Sequence, residues 1–263
     1  MPLSFGSVLR HGVWAGMSAG LVSAAVGWLV VEPVIARALT IEDARTVVVH
    51  GGGDSAPLHL PSPGGAEEPL VSRAVQAVGG AVTSVLVGVA VGVIVAIVYA
   101  RVRERLGTRG DLVGALALVA IAFAAVSLIP ALVVPANPPA VGDPSTVGRR
   151  TLLYAVVVLC GVAVPLVVAA GDRGLRRRGV CASTRLAVDV LAATALVTAV
   201  LVLVPGPTDV VPDDVPADLL WDFRLASLAQ LAAMWLTLGL VLGLLLDRAA
   251  LRSRDDTPVA VGA

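Results

Sequence analysis

Five stretches of this chain run for 18 residues or more without a charged side chain: Val13–Val31, Val78–Ala100, Leu112–Val134, Leu152–Ala170 and Leu225–Leu246. A sixth, Leu186–Val204, is interrupted only by Asp189. About 20 apolar residues are needed to cross the hydrocarbon core of a bilayer as a helix. Backbone polar groups in lipid must be satisfied within the segment, so runs of this kind form helices, and the alternating pattern of barrel strands is absent. The first run follows Arg10 and His11 and so invites comparison with a signal peptide. Its 19 apolar residues exceed a typical signal core and lead directly into Glu32 and Pro33, which reads as a retained span. The expected fold is all-α: a polytopic membrane bundle of about six helices, forming one membrane domain over residues 1–263.

Composition excludes the main alternatives. Hydrophobic residues make up 57% of the chain, charged residues 14%, and the mean hydropathy is +0.91. A soluble domain carries about 25% charged residues. The formal net charge of zero gives no reason to expect a nucleic-acid partner. Two isolated cysteines, Cys160 and Cys181, cannot build a disulfide framework or a thiolate cluster. There is no nucleophile–base pair, no metalloprotease motif and no phosphate-binding glycine loop, so neither an enzyme nor ATP hydrolysis by this chain is expected.

Charge asymmetry sets the orientation. All 19 basic residues are arginine. Arg10, Arg101, Arg103, Arg105, Arg109, Arg173, Arg176, Arg177, Arg178, Arg185, Arg248, Arg252 and Arg254 fall on one side of the six runs. The positive-inside rule makes that side, and both termini, cytoplasmic, in what reads as a prokaryotic cytoplasmic membrane. The opposite face holds most of the acids and prolines, and a piece rich in Gly, Pro and Ser at residues 51–68 that reads as a flexible excursion. Glycines at Gly12/Gly16/Gly20, Gly88/Gly92 and Gly239/Gly243 have the spacing that lets helices approach closely in lipid, within one bundle or at a dimer face.

After the third run the sequence reads PANPPAVGDPSTVGRRT, from Pro135 to Thr151. So many prolines dictate a stiff, extended backbone. This stretch resembles the PANPPAVGDPETI..RT signature of the CbtA family of probable cobalt transporter subunits. The resemblance extends to Val31-Glu32-Pro33 with Ile41-Glu42, and to Val71-Ser72-Arg73 with Gln76 and Gly79. It continues in Val215-Pro216-Ala217, Leu219-Leu220-Trp221 and Phe223 to Leu228, with Gln230 and Trp235, which are similar to the family's FPA..LW.FR-LASL motif. Two positions depart from the family: Val133-Val134 replace a frequent Lys-Tyr, and Ser145 replaces a glutamate. The resemblance implies a membrane subunit of a Co²⁺ uptake system serving cobalamin synthesis. It also implies a small one-span partner, a CbtB-type subunit with a His-rich end, with lipid around both and no permanently bound cofactor.

The motifs single out Glu32, Gln76, Asn137, Asp143 and Gln230 as ion-pathway candidates. Glu32, Asn137 and Asp143 are the metal-ligand candidates, because Co²⁺ accepts oxygen ligands and the prolines would hold these residues around one outer vestibule. His50, Asp54 and His59 lie outside the motifs. Asp189, four residues after Arg185, has the spacing of a local ion pair. Arg224, beside Asp222, reads as a tie between outer loops, since a guanidinium repels a cation. Cys160 reads as packing. Two functions remain open: a permease subunit passing a divalent cation, or a structural subunit anchoring a metal-binding partner.

Overall fold

The computed structural model describes residues 4–51, 73–106, 110–139, 141–142, 144–207 and 211–255. Of these, 88% are helical, with no strand among them. The elements are α1 (Phe5–Val26), α2 (Glu32–Gly51), α3 (Arg73–Val102), α4 (Asp111–Phe123), α5 (Ile129–Val133), α6 (Val147–Arg177), α7 (Ala182–Leu203) and α8 (Ala217–Asp255). π-helical turns at Gly27–Val31 and Ala124–Leu128 join α1 to α2 and α4 to α5. Six continuous units are long and apolar enough to span a membrane, and each contains one of the six runs. With six antiparallel passes, α1 begins and α8 ends at the same end of the bundle, termed proximal here; the other end is distal.

Both π turns precede a proline by the same interval. Pro33 lies two residues beyond the first and Pro130 two residues beyond the second. A proline removes an N–H and drives its ring against the carbonyl four residues earlier, and a widened turn moves that carbonyl aside. For Pro130 the carbonyl is that of Val126, which instead accepts the Tyr154 hydroxyl at 3.5 Å. Beyond the apolar run Val13–Val31, the helix passes through Pro33 and continues to Gly51. The PANPP stretch does leave the helix, and Gly142 adopts φ of 123°.

The helices lie side by side in the order α3, α1, α8, α4/α5, α6, α7. Glycine sets the closest approach. Gly12, Gly16 and Gly20 face Gly92, Gly88 and Ser84 backbone to backbone, so the α1–α3 contact has no room for a side chain. Gly239 and Gly243 do the same for α8 against Leu116, Val119 and Leu112 of α4, and Gly161 of α6 meets Ala125 in the second π turn. The glycine steps thus pack inside the bundle. A core of Val8, Ala15, Ala19, Val95, Tyr99, Val119, Trp235, Leu238, Leu242 and Leu246 fills the space around α8.

At the far edge, α7 has no buried residue and rests on α6 and α5. Here the expected Arg185–Asp189 pair is not formed. The α6–α7 turn, closed by Gly179 at φ 73°, brings Arg185 Nε to 3.0 Å from Asp172 Oδ1, and Arg176 shares the same carboxylate at 3.0 Å. The hairpin supplies a partner that local spacing did not reveal. Cys181 begins α7 with Thr184 Oγ1 at 3.0 Å and Ser183 Oγ at 3.4 Å. Those hydrogen bonds pull its thiol from 9.0 down to about 7. Cys160 is half-buried within α6.

Two outcomes follow from this packing. Gly16→Val forces α1 off the α3 backbone and should lower stability in detergent by at least about 2 kcal/mol. Gly171→Ala, at an open position on α6, should be neutral or stabilising by up to about 1 kcal/mol; thermal unfolding of the two variants compares them. Cys181 should gain thiolate, and hence alkylation rate, as pH rises through about 7. Ser183→Ala with Thr184→Ala should move that rise toward higher pH, read by iodoacetamide labelling.

Candidate functional site

At the distal end, the start of α3 stands away from α8. The gap is a cleft of about 490 Å³ between α3, the first π turn, the start of α2 and α8. Glu32, Gln76 and Gln230 all line it, together with Gly27, Trp28 and Ser84. Three of the residues singled out in the sequence therefore meet, although they lie in three separate helices. Glu32 is the one ionisable group among the described lining residues. It follows the π turn directly and lines the cleft with residues of α3 and α8.

Gln230 forms part of the floor. Its Nε2 donates to the Ser23 carbonyl at 3.1 Å and lies 3.3 Å from Ser23 Oγ. This leaves the amide oxygen as the remaining acceptor. A β-carbon at Gly27 would come within 2.8 Å of Gln230 Nε2, so a larger residue there would displace that movable amide. The second π turn repeats the arrangement: Trp235, also on α8, donates Nε1 to Ser127 Oγ at 3.0 Å in a buried setting. α8 thus contacts the wide turns of two neighbours through side-chain donors.

Asn137 does not line the cleft. Its Oδ1 accepts from Arg224 Nη2 at 3.3 Å, while Arg224 Nε donates to the Ala136 carbonyl at 3.3 Å. Arg150 Nη2 donates to the Pro135 carbonyl at 3.0 Å. Two arginines from α6 and α8 thus hold the proline-rich segment. Of the three residues expected around one vestibule, Glu32 lines the cleft and Asn137 is not among its lining residues. Asp143, Asp54, His59 and nearly all of the 51–68 excursion lie outside the described residues, as does the His50 side chain. Among the described residues, no group of three or more His, Cys, Asp or Glu is placed to hold a metal ion.

The remaining distal motifs pack on one another. Ala38 of α2, Val215 and Leu219 form a small core to which Val34, Ile41 and Val141 add. Above it Arg37 reaches Asp218 at 3.2 Å and Asp222 at 3.1 Å, joining α2 to α8 through exposed ion pairs.

Sequence reasoning missed a cluster at the proximal end. Asp111, 6% exposed, accepts the Tyr99 hydroxyl at 2.8 Å, and both its oxygens lie 2.7 Å from the Arg103 guanidinium. The Asp247 carboxylate accepts the backbone N–H groups of Asp111 at 2.8 Å and Leu112 at 3.2 Å. Gly110 has no side chain to cap α4, so α8 supplies the cap. The available signal was two acids, Asp111 and Asp247, adjoining apolar runs on an arginine-rich side.

Long apolar helices, with one cleft whose lining includes the polar side chains Glu32, Gln76, Ser84 and Gln230, make this a polytopic helical membrane protein. The chain belongs to the CbtA family of probable cobalt transporter subunits, whose profile matches residues 5–247 and so reaches into all six spans. No curated protein and no solved structure matches it.

Arg224→Ala should loosen the proline-rich segment without altering the cleft. Hydrogen exchange should quicken across residues 136–142 and stay unchanged across residues 76–84. Equal exchange in parent and variant would show that the arginine does not hold the segment.

Proposed function

We propose that this chain is the permease subunit of a Co²⁺ uptake system feeding cobalamin synthesis, with its cleft as the entrance for the ion. In this reading the whole chain is one membrane domain of a prokaryotic cytoplasmic membrane. The distal end faces outward and both termini face the cytoplasm, in keeping with the arginine distribution. The observation that carries the reading is the convergence of Glu32, Gln76 and Gln230 on one cleft. One carboxylate with carboxamide oxygens suits a hard or borderline divalent cation, and desolvating such an ion requires oxygen donors in place of its water. Asn137 and Asp143 belong to the neighbouring segment in this proposal. Asn137 acts there by fixing the loop through Arg224 rather than as a ligand. The partner is a small one-span CbtB-type subunit with a His-rich end that delivers the ion.

A second reading is supported by the apolar core proximal to the cleft, where Ala15, Ala19, Leu238 and Leu242 are fully buried. In that reading the chain anchors the metal-binding partner and forms no pathway. Uptake of radiolabelled Co²⁺ by cells carrying the chain, with and without the partner, separates the two. Under the permease reading Glu32→Gln inserts into the membrane at the parent level but loses uptake by roughly tenfold or more. Parental uptake by that variant would leave the anchoring reading standing.

A further inference from the structure

The polar cluster at the proximal end has no part in the cleft, yet it lies on the same mechanical boundary. The glycine contact joins α1 closely to α3, and a second glycine contact joins α8 to α4, which gives two closely packed units. Between the pairs, α1 and α8 pack along their lengths, and α3 meets α4 and α8 sparingly. At the distal end the boundary is open as the cleft. At the proximal end it is closed by Tyr99 and Arg103 on one unit, against Asp111 and the Asp247-capped start of α4 on the other.

We propose that Tyr99, Arg103, Asp111 and Asp247 form the inner gate of the pathway that begins at Glu32, Gln76 and Gln230. This rests on the permease reading. The structure is then the outward-open form, with the gate shut. Four features support the assignment. The Tyr99 and Arg103 contacts to Asp111 join the two units, while the Asp247 cap lies within one of them. The Asp111 carboxylate at its centre is buried and Arg103 half-buried, so Asp111 is held by these partners rather than by water. Its oxygens and donors are matched: one Asp111 carboxylate takes a guanidinium and a phenol, and one Asp247 carboxylate takes two backbone N–H groups. Lastly, Leu238, Leu242 and Leu246, all fully buried, lie along α8 between Gln230 of the cleft and Asp247 of this cluster. Passage of an ion to the proximal side requires α3 to swing from α4, and that motion breaks the Arg103 and Tyr99 contacts while the Asp247 cap stays within its unit.

The test uses the full chain with Cys160→Ala and Cys181→Ser. In the first arm Leu242→Cys is alkylated by a membrane-impermeant maleimide applied to the proximal face, with and without Asp111→Asn. Opening the gate should speed labelling roughly tenfold; an equal rate overturns the proposal, and this arm needs no transport. In the second arm Arg103→Cys with Asp111→Cys is bridged by a short bifunctional thiosulfonate. Bridging should stop Co²⁺ uptake and reduction should restore it. A bridged protein that transports at its unbridged rate shows a merely structural contact and overturns the gate. Failure of the parent to transport at all overturns the permease reading instead, while the labelling arm still decides whether the contact opens.

Discussion

A helix in hydrocarbon has no water to satisfy a backbone group that loses its partner, and much of this structure answers that constraint. Pro33 and Pro130 each remove a donor from a span. Neither breaks its helix, because the preceding turn widens to π geometry and shifts the crowded carbonyl. The widened turns then need company. Tyr154 reaches the Val126 carbonyl, Gln230 reaches Ser23 at the entry to the first π turn, and Trp235 reaches Ser127 inside the second. Two of the three come from α8, which explains why that helix sits between the two kinked spans. Trp28 and Val31 of the first π turn, with Glu32 directly after it, line the cleft.

The glycine contacts complement this. With no hydrophobic drive between helices in lipid, close backbone approach is a main source of association. The α1–α3 seam runs from Gly12 to Gly20, and at the distal start of α3 a β-carbon at Gly79 or Gly80 would meet nothing within 4 Å among the described residues. Tight packing over part of α3 and none at its distal start is what leaves a cleft rather than a closed bundle.

The spans were legible because hydropathy reports burial in lipid directly, one residue at a time. The glycine stripes were legible as packing surfaces but not as pairs, since nothing in Gly16 names Gly88. The passage of the helix through Pro33 was not legible, because it depends on a π turn that hydropathy does not report. Arg185 misled: the i, i+4 neighbour Asp189 is local, whereas Asp172 becomes a neighbour only when the hairpin closes. At the site, Glu32, Gln76 and Gln230 were found through family motifs, while Asn137 carried the same motif signal and is turned toward Arg224. A motif marks where side chains matter; which of them share a surface is decided by the packing. Asp111 and Asp247 lacked a motif and were hidden as the flanks of apolar runs.

The two ends of the bundle are held by unequal forces. Distally, Arg37 spans from α2 to Asp218 and Asp222, but all three side chains are about half exposed or more. Such pairs contribute about 0–1 kcal/mol each, because water competes for both partners. Proximally, the Asp111 side chain is 7% exposed and the Arg103 side chain 30% exposed. Removing Arg103 would strand a buried Asp111 carboxylate, so this contact costs more to break than a surface pair. The weaker tie lies beside the cleft and the stronger one at the proximal end. In the permease proposed above, the distally open form is the resting one, and a cation entering the cleft adds its attraction to Glu32 on the weaker side. It can favour the opposite form only if that form gathers oxygen ligands around it more closely than the open cleft does, because a ligand shifts an equilibrium by no more than its difference in affinity for the two states.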